Sequence, residues 1–433
     1  MTTHTLSKLK NGLPVITVPM PGVKSVTVLV VTNTGSRFET PREEGIAHFF
    51  EHMVFKGTTK YPTAQVLAKA IDSIGADFNA FTSKEYTGYY VKASGGHVGV
   101  AIDVVSDMLL QPTLKQEDID REKGVIIEEI NMYEDMPMRQ VGNIFERMIF
   151  KGSSLGHDIL GSKETVNSLK TAHFKRFLKQ WYGLGNMLLV LAGDPDIVSS
   201  KETKQQVLDA FSKETGVRAL GKFDVRSKIS KKGPWSPYKL EVTYKKTEQA
   251  HLVLGWPGIE RSSKKKHLLS LASVIMGGNM SSRLFTEVRE QRGLCYYLRT
   301  DTDFYHDTGV FGASAGVTPT RIYEAIEVIK EEFIQVADGT RPFTEEELES
   351  AKEYLIGTMT LSFEDSRSVA QYYGMRQLLN GQIEEPTAIV EKIRSATLEE
   401  VNTIVAQLIT KGDMRLAVVG PFKARKKFQA FIE

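Results

Sequence analysis

The sequence predicts an α+β fold in which two homologous domains each contain a mainly antiparallel β-sheet with helices packed on it. The chain has 433 residues, which is too long for one ordinary hydrophobic core and suits two domains. Segments with the two-residue period of strands are mixed with segments of helical period, an order typical of α+β layer structures. The pattern of the first half begins again in the second half, which indicates a repeat.

The first half alternates strand and helix patterns in an order that the second half repeats. Its strand patterns are GLPVITVPM, KSVTVLVVTNTGS and DFNAFTSKEYTGYYVKA. Its helical patterns are EEGIAHFFEHMVFKGT, TAQVLAKAIDSIG, GGHVGVAIDVVSDMLLQP and KQEDIDREKGVIIEEINMYEDM. In the second half the strands AHLVLGWPG, CYYLRTDTDFY and TGVFGASAGV accompany the helices KKHLLSLASVIMG, SRLFTEVREQRG and RIYEAIEVIKEEFIQVAD. The chain therefore reads as two copies of one fold.

Residues 221–237 form the predicted linker between the copies. This segment loses all periodicity and carries lysine, proline and glycine, a composition that favours a connection over a helix or strand. We therefore expect an N-terminal domain at residues 1–220 and a C-terminal domain at residues 238–433.

Composition excludes several classes of protein. The 55 basic and 53 acidic residues leave a net charge of +2, which gives no reason to expect nucleic acid as a partner. Cys295 is the only cysteine, so the fold does not depend on an intrachain disulfide or an oxidising compartment. The first residues lack the apolar stretch of a signal peptide, and no window reaches the roughly 18 to 20 apolar residues that cross a bilayer. We expect a cytoplasmic protein that does not bind membranes.

Two histidines and a glutamate interrupt an apolar helical run in the segment HFFEH. On an α-helix, His48, Glu51 and His52 leave one face within an arc of about 100°. Imidazoles at positions i and i+4 suit a tetrahedral Zn²⁺, and a neighbouring carboxylate that is not a ligand can take a proton from water. The alternative is a pair of hydrogen-bonded core histidines. A third protein ligand would decide for the metal.

The helix predicted at residues 116–136 supplies that ligand. Its apolar stripe is centred on Ile126, and Glu122 and Glu129 lie on the same face. Glu128, by contrast, lies about 160° from this direction and is expected to face solvent. Ionised carboxylates rarely lie on a buried stripe unless they are paired or bind a metal. Glu129 is therefore the predicted ligand, with Glu122 in support.

The segment His48-Phe-Phe-Glu51-His52, followed by Glu129 in GVIIEEI, resembles the inverted zinc motif of the pitrilysin and mitochondrial processing peptidase family, the inverzincins. The resemblance implies that His48, His52 and Glu129 hold one Zn²⁺ and that Glu51 is the general base. Glu122 would be the carboxylate behind the ligands that orients them.

The segment GADFNAFTSKEYTGYY resembles the substrate-binding strand of this family. The resemblance places Asn79 and Ala80 next to the scissile bond of a bound substrate. An edge strand can bind an extended peptide through backbone hydrogen bonds, whatever the side chains, which would favour unfolded substrates. The alternative for this segment is an ordinary β-hairpin.

The segment LFTEVREQRGLCYYL resembles the arginine and tyrosine pair that family members carry in the second domain. Arg289 and Tyr296 would bind the substrate carbonyl and stabilise the oxyanion. Tyr297 adjoins Tyr296, so the assignment of the tyrosine stays open by one residue. Without the resemblance, Arg289 reads as a surface helix residue and Tyr296 as a packed strand residue.

Taken together, the resemblance implies a zinc-dependent endopeptidase that hydrolyses peptides or unfolded segments. Long members of the family carry four such domains in one chain, so this shorter chain is expected to form a homodimer that closes into a clamshell. The zinc site of one subunit would then face Arg289 and Tyr296 of the other. The alternative is a non-catalytic structural subunit, or one that depends on a partner for catalysis. The presence of both sets of residues in one chain favours a homodimer, and the complete zinc motif favours a peptidase over a structural subunit.

Overall fold

The chain forms two compact units, each with its own hydrophobic core. The computed structural model describes residues 3–212 and 235–433. The described parts of the first unit are residues 3–130, 157–212 and 360–384, and those of the second are residues 131–156, 235–359 and 385–433. The predicted linker at 221–237 lies outside the described residues except at its end, so the domain boundaries next to it stay predictions.

Strands of the described residues form two sheets. The first sheet contains β1 (Thr5–Lys8), β2 (Pro14–Pro19), β3 (Ser25–Thr32), β4 (Asp77–Thr82), β5 (Thr87–Ser94) and β6 (Met187–Gly193). The second sheet contains β7 (Leu240–Tyr244), β8 (Ala250–Pro257), β9 (Cys295–Phe304), β10 (Gly309–Val317) and β11 (Arg415–Gly420).

Helices follow the strands in a similar order in both halves. The first half has α1 (Ile46–Met53), α2 (Ala64–Asp72), α3 (Val98–Leu110), α4 (Gln116–Glu134), α5 (Pro137–Ile149), α6 (Lys163–Ser168), α7 (Thr171–Trp181), α8 (Pro195–Val198) and α9 (Lys201–Phe211). The second half has α10 (Lys266–Ser273), α11 (Ile322–Ala337), α12 (Glu345–Ser362), α13 (Ser366–Asn380), α14 (Pro386–Ser395), α15 (Leu398–Leu408) and α16 (Lys426–Gln429). Among the described helices, none combines the length and the apolar character needed to cross a membrane.

The two sheets share one topology. The strand order is β1-β2-β6-β3-β5-β4 in the first sheet and β7-β11-β8-β10-β9 in the second. In each sheet one pair of neighbours is parallel, β2 with β6 and β7 with β11, and all other pairs are antiparallel. When β1 is set aside, order and direction agree strand by strand. The predicted α+β fold with two homologous, mainly antiparallel domains is confirmed.

Each sheet is also covered by a helix from the other half of the chain. Helix α13 packs Val369, Ala370 and Tyr373 against the first sheet. Helix α5 packs on the second sheet against β11 and β8. The central strands require this second layer because they are apolar on both faces: all seven residues of β6 are buried. Each half of the sequence therefore contributes one helix to the compact unit that is built mainly from the other half.

Candidate functional site

Helix α1 begins at a turn that only glycine fits. Gly45 has a φ of 91°, and a Cβ there would lie 2.4 Å from the carbonyl oxygen of Leu160. The buried carboxylate of Glu39 accepts hydrogen bonds from the backbone N–H groups of Gly45 and Ala47, at 2.8 Å each. These bonds satisfy two of the donors that every helix start leaves without a partner. The first turn of α1 is thereby fixed from inside the protein.

The two faces of α1 differ in chemistry. On one face Phe49 and Phe50 are fully buried and pack against Phe174 and Tyr182, with ring centroids 4.9 and 4.5 Å apart. The phenylalanines anchor the helix in the core, as the apolar positions of an amphipathic helix do. The other face carries His48, Glu51 and His52, as the helical spacing predicts.

Helix α4 brings the carboxylates to this face. Ile119 and Ile126 are fully buried, Glu122 is 3% exposed and Glu129 is half-buried. Glu128 lies on the exposed side of the helix. The periodicity of 3.6 residues thus places Glu122 and Glu129 toward α1, on the face that the sequence assigns to them.

His48, His52 and Glu129 form a group of possible metal ligands. Each offers one ligand atom, and the three atoms lie within 4.8 Å of one another. Oε2 of Glu129 is 3.6 Å from Nε2 of His48 and 3.5 Å from Nε2 of His52. A tetrahedral zinc with bonds of about 2.0–2.1 Å separates its ligand atoms by roughly 3.4 Å. The spacing and the donor types therefore fit Zn²⁺.

The electrostatics of the group also fit a cation. Burial and the neighbouring His52 lower the pKa of His48 to about 3, so His48 is a neutral imidazole at neutral pH. Its buried Nδ1 has no hydrogen-bond partner within the described residues. Burial raises the pKa of Glu129, and the nearby charge of Glu122 raises it further. A dication would compensate both carboxylates.

Glu51 stands beside the ligand group without belonging to it. The hydroxyl of Thr82 on β4 donates a hydrogen bond to Oε2 of Glu51. Burial raises the pKa of Glu51, and the charge of Glu129 adds to the effect. A carboxylate in this environment has more affinity for a proton than an exposed glutamate has. Thr82 was not singled out by the sequence, because a threonine in a strand carries no distinctive pattern.

Glu122 contacts His52, one of the possible ligands. Its Oε1 lies 2.9 Å from Nδ1 of His52, and its Oε2 lies 2.6 Å from Nζ of Lys56. These contacts hold the pKa of Glu122 below its usual range despite burial. A carboxylate on Nδ1 fixes the tautomer of a histidine and leaves Nε2 free for a metal. The sequence interpretation did not identify Lys56, although it lies only four residues after His52.

Asn79 and Ala80 lie on β4 at the edge of the first sheet. In the sheet that the structure describes, β4 pairs only with β5. Asn79 is exposed, and its Oδ1 accepts a hydrogen bond from the N–H of Ala80 at 2.8 Å. Ala80 is buried, with 9% of its surface exposed. The helix that carries Glu51 contacts the same strand.

Arg289 and Tyr296 lie together in the second unit. Arg289 stands on the π-helical segment Phe285–Gln291, and its guanidinium is 4.7 Å from the ring of Phe285 and 5.5 Å from the ring of Tyr296. Such inserted turns are frequent at functional sites. Tyr296 is 75% exposed.

The neighbouring Tyr297 has a different environment. Its hydroxyl lies 3.0 Å from Nδ1 of His251, and the two rings stack. Burial raises the pKa of Tyr297 to about 12. Of the two adjacent tyrosines, Tyr296 is therefore the one beside Arg289 with its ring open to solvent. The metal-ligand group belongs to the first unit and the Arg289 pair to the second.

Comparison with known proteins agrees with the zinc motif. Residues 15–163 match the family model described as Insulinase (Peptidase family M16), and residues 168–355 match the model described as Peptidase M16 inactive domain. An uncharacterized zinc protease of Streptomyces coelicolor is 34% identical over 418 residues, which cover 96% of this chain and 90% of that protein. The uncharacterized zinc protease YmxG of Bacillus subtilis is 34% identical over 415 residues, covering 95% and 97% respectively.

Solved structures show the same fold. A protease from Helicobacter pylori superposes with a TM-score of 0.88 at 20% identity, covering 97% of this chain and 100% of that chain. A peptidase M16 inactive domain from Pseudomonas fluorescens gives a TM-score of 0.87 at 18% identity, covering 98% of each. The resemblance that the sequence motifs indicate is confirmed. With family models matching both halves and relatives aligned over nearly its whole length, the chain belongs to peptidase family M16, the insulinase or pitrilysin family.

Proposed function

We propose that the protein is a zinc-dependent endopeptidase that hydrolyses peptides or unfolded segments of polypeptides. The observation that carries the proposal is the convergence of His48, His52 and Glu129, with Glu51 beside them, on the polar face of α1. Two histidines and one carboxylate are a donor set of catalytic zinc sites, which keep a fourth position open. The zinc proteases among the relatives support the same chemistry.

Glu51 has the position of a general base. A bound zinc ion would supply Lewis acidity and lower the pKa of water from about 15.7 toward 7. Thr82 donates to Oε2 of Glu51, which leaves Oε1 available to take a proton from the attacking water. The raised pKa of Glu51 suits it to hold this proton and then give it to the leaving amine.

Strand β4 offers the binding surface for the substrate. An extended peptide that adds to this edge as a further strand would be held by main-chain hydrogen bonds. Asn79 and Ala80 would provide these contacts. Backbone recognition requires an extended segment and tolerates many side chains, which supports unfolded substrates. The hydroxyl of Thr82 connects the same strand to Glu51.

Arg289 and Tyr296 are proposed to bind the substrate carbonyl and to stabilise the oxyanion. The carboxylate of Glu290 lies 3.9 Å from Nε of Arg289, beyond hydrogen-bond distance. Aromatic rings flank the guanidinium, and its N–H edge can meet an oxygen of the substrate. A donor placed at the developing negative charge typically contributes about 10²–10³ in kcat.

The decisive experiment compares the zinc-loaded protein with Glu51→Gln on a library of unstructured peptides, with bound zinc quantified in both. We expect cleavage by the wild type alone and equal zinc in the two proteins. Zinc in both without cleavage by either would favour the alternative, a subunit that depends on a partner. Absence of zinc from both would favour the other interpretation of HFFEH, in which the two histidines are hydrogen-bonded core residues.

A homodimer is part of the proposal, and mixing two inactive variants tests it. If the zinc site of one subunit works with the Arg289 pair of the other, Glu51→Gln and Arg289→Ala chains complement each other. Random exchange of equal amounts would restore about a quarter of the wild-type activity, because half of the dimers would carry one intact site. No recovery would place both sets of residues of one site in the same subunit. Action in the cytoplasm is proposed too, supported by the single, free cysteine Cys295.

A further inference from the structure

The carboxylate of Glu122 is shared by two partners. Its Oε1 faces Nδ1 of His52 at 2.9 Å, and its Oε2 faces the ammonium of Lys56 at 2.6 Å. The Glu122 side chain is 4% exposed, so water cannot replace either partner freely. Charge-assisted bonds to both oxygens hold a carboxylate in one orientation. The ammonium on Oε2 therefore determines that Oε1 meets the imidazole.

Lys56 lies in the turn directly after α1, the helix that contains His48 and His52. Helix α1 ends at Met53, and the backbone N–H of Lys56 donates to the carbonyl of Met53 in the turn that follows. Lys56 comes four residues after His52, and the turn that follows α1 brings its ammonium to the carboxylate that His52 also contacts. The Lys56 side chain is 30% exposed. The motif thus extends from HxxEH to HxxEHxxxK.

The lysine also sets the charge of the site. Glu51, Glu122 and Glu129 are three carboxylates around the imidazoles of His48 and His52, and Lys56 is the ammonium that contacts one of the carboxylates. When ionised, the three carboxylates and Lys56 carry a net charge of −2. This charge matches a dication, and a low-dielectric site tolerates little excess charge of either sign. A lysine at this position suits a metal-loaded site.

The second copy of the fold provides an internal comparison. Helix α10 is equivalent to α1, and counting from the first residue of each helix places Met276 where the first copy has Lys56. Helix α12 is equivalent to α4, and the same count places Ala351 where the first copy has Glu122. Met276 is fully buried. The second copy thus has a buried apolar residue, within the π-helical segment Val274–Gly278 that continues α10, at the count where the first copy has Lys56.

We propose that Lys56 is a positioning residue of the metal centre, which acts through Glu122 on the zinc ligand His52. The ammonium holds the carboxylate, and the carboxylate holds the imidazole with Nε2 toward the metal. The inference rests on the proposed zinc site and names a member of it that HxxEH does not contain. It predicts weaker zinc binding when the ammonium is removed, even though the three ligands stay in place.

The test measures the zinc affinity of the full chain by competition with a chromophoric chelator. Lys56→Met introduces the residue of the second copy, and Lys56→Arg retains a cation. Lys60→Met is the matched control, because Lys60 also pairs with a carboxylate, Asp103, at 2.5 Å in the same unit. We expect Lys56→Met to lose about tenfold or more in affinity, as removal of outer partners of ligating histidines commonly does. Lys56→Arg should stay within about threefold of the wild type, and Lys60→Met should not differ from it.

A second readout separates positioning from stability. Co²⁺ bound in place of zinc reports ligand geometry through its visible spectrum, and we expect this spectrum to change in Lys56→Met and not in Lys60→Met. If Lys56→Met does not fold, Lys56→Gln replaces it with the same expectation. A wild type that binds zinc while Lys56→Met keeps both affinity and spectrum overturns the inference alone. A wild type that binds no zinc overturns the proposed function and the inference together.

Discussion

The helices α1 and α10 occupy equivalent places in the two copies and carry opposite chemistry. Each helix follows a central strand of its sheet, β3 for α1 and β8 for α10. When the helices are aligned at their first residues, Leu268, Leu271 and Ala272 take the places of His48, Glu51 and His52. These three apolar residues are 5%, 0% and 0% exposed. At this place in the fold, the second copy therefore has an apolar core helix instead of a polar face with possible metal ligands.

Helices α4 and α12 repeat the comparison. Aligned at their first residues, they share an apolar position, Ile119 in the first and Leu348 in the second, both fully buried. The places of the two glutamates are taken by Ala351 and Thr358. Every charged member of the cluster thus has an uncharged counterpart in the same fold. The fold does not require the cluster, which supports the proposal that its presence in one copy serves a function.

The largest expected effect is on zinc affinity, when His52 is replaced by alanine, the residue that the second copy has at the equivalent position, Ala272. His52→Ala removes one of the three proposed protein ligands, and we expect zinc affinity to fall by about 10³-fold or more, roughly 4 kcal/mol. Isothermal titration of the metal-free protein with zinc measures the change. His97→Ala, an exposed histidine of the same unit, is the control and should keep wild-type affinity. Full zinc binding by His52→Ala would mean that this imidazole is not a ligand.

The reverse exchange tests the second copy. Ala351→Glu places a carboxylate at a position that is 2% exposed, near a helix whose corresponding positions are apolar. Without a histidine or lysine partner, we expect a loss of about 3 kcal/mol in the free energy of unfolding. Urea denaturation followed by circular dichroism measures it. Ala406→Glu, at an exposed position of α15, is the matched control and should change stability by less than about 0.5 kcal/mol. Equal effects of the two changes would contradict the comparison.

Zinc itself is expected to stabilise one copy and not the other. At a free zinc concentration of 100 times Kd, binding contributes about 2.7 kcal/mol to the state that binds. Hydrogen exchange with and without a chelator measures this difference by segment. We expect zinc to slow exchange in α1 and α4 and to leave α10 and α12 unchanged, because only the first pair carries ligands. Equal protection of both pairs would indicate that zinc acts elsewhere in the chain.

The sequence predicts those parts of the molecule that depend on local period and spacing. The arc of His48, Glu51 and His52 follows from helix geometry, and the buried face of α4 follows from its isoleucines. The sequence does not predict that α5 covers the second sheet and α13 the first, because an amphipathic helix does not specify which sheet it covers. Contacts such as that of Thr82 with Glu51 join residues distant in the chain, and one sequence contains no signal for such pairs.

The smallest expected effect concerns the edge of the first sheet, where Thr82 of β4 contacts Glu51, the proposed base. Thr82→Val keeps the shape and strand preference of the side chain and removes the hydroxyl that donates to Glu51. We expect kcat to fall about tenfold, roughly 1.4 kcal/mol, because Glu51 loses the bond that fixes its orientation. KM should change little, since the backbone of β4 still binds the peptide, and zinc content should not change. Thr82→Ser retains the hydroxyl and should recover most of kcat. A rise in KM at constant kcat would instead assign Thr82 to substrate binding. Strand β4 would then bind the peptide but would not orient Glu51.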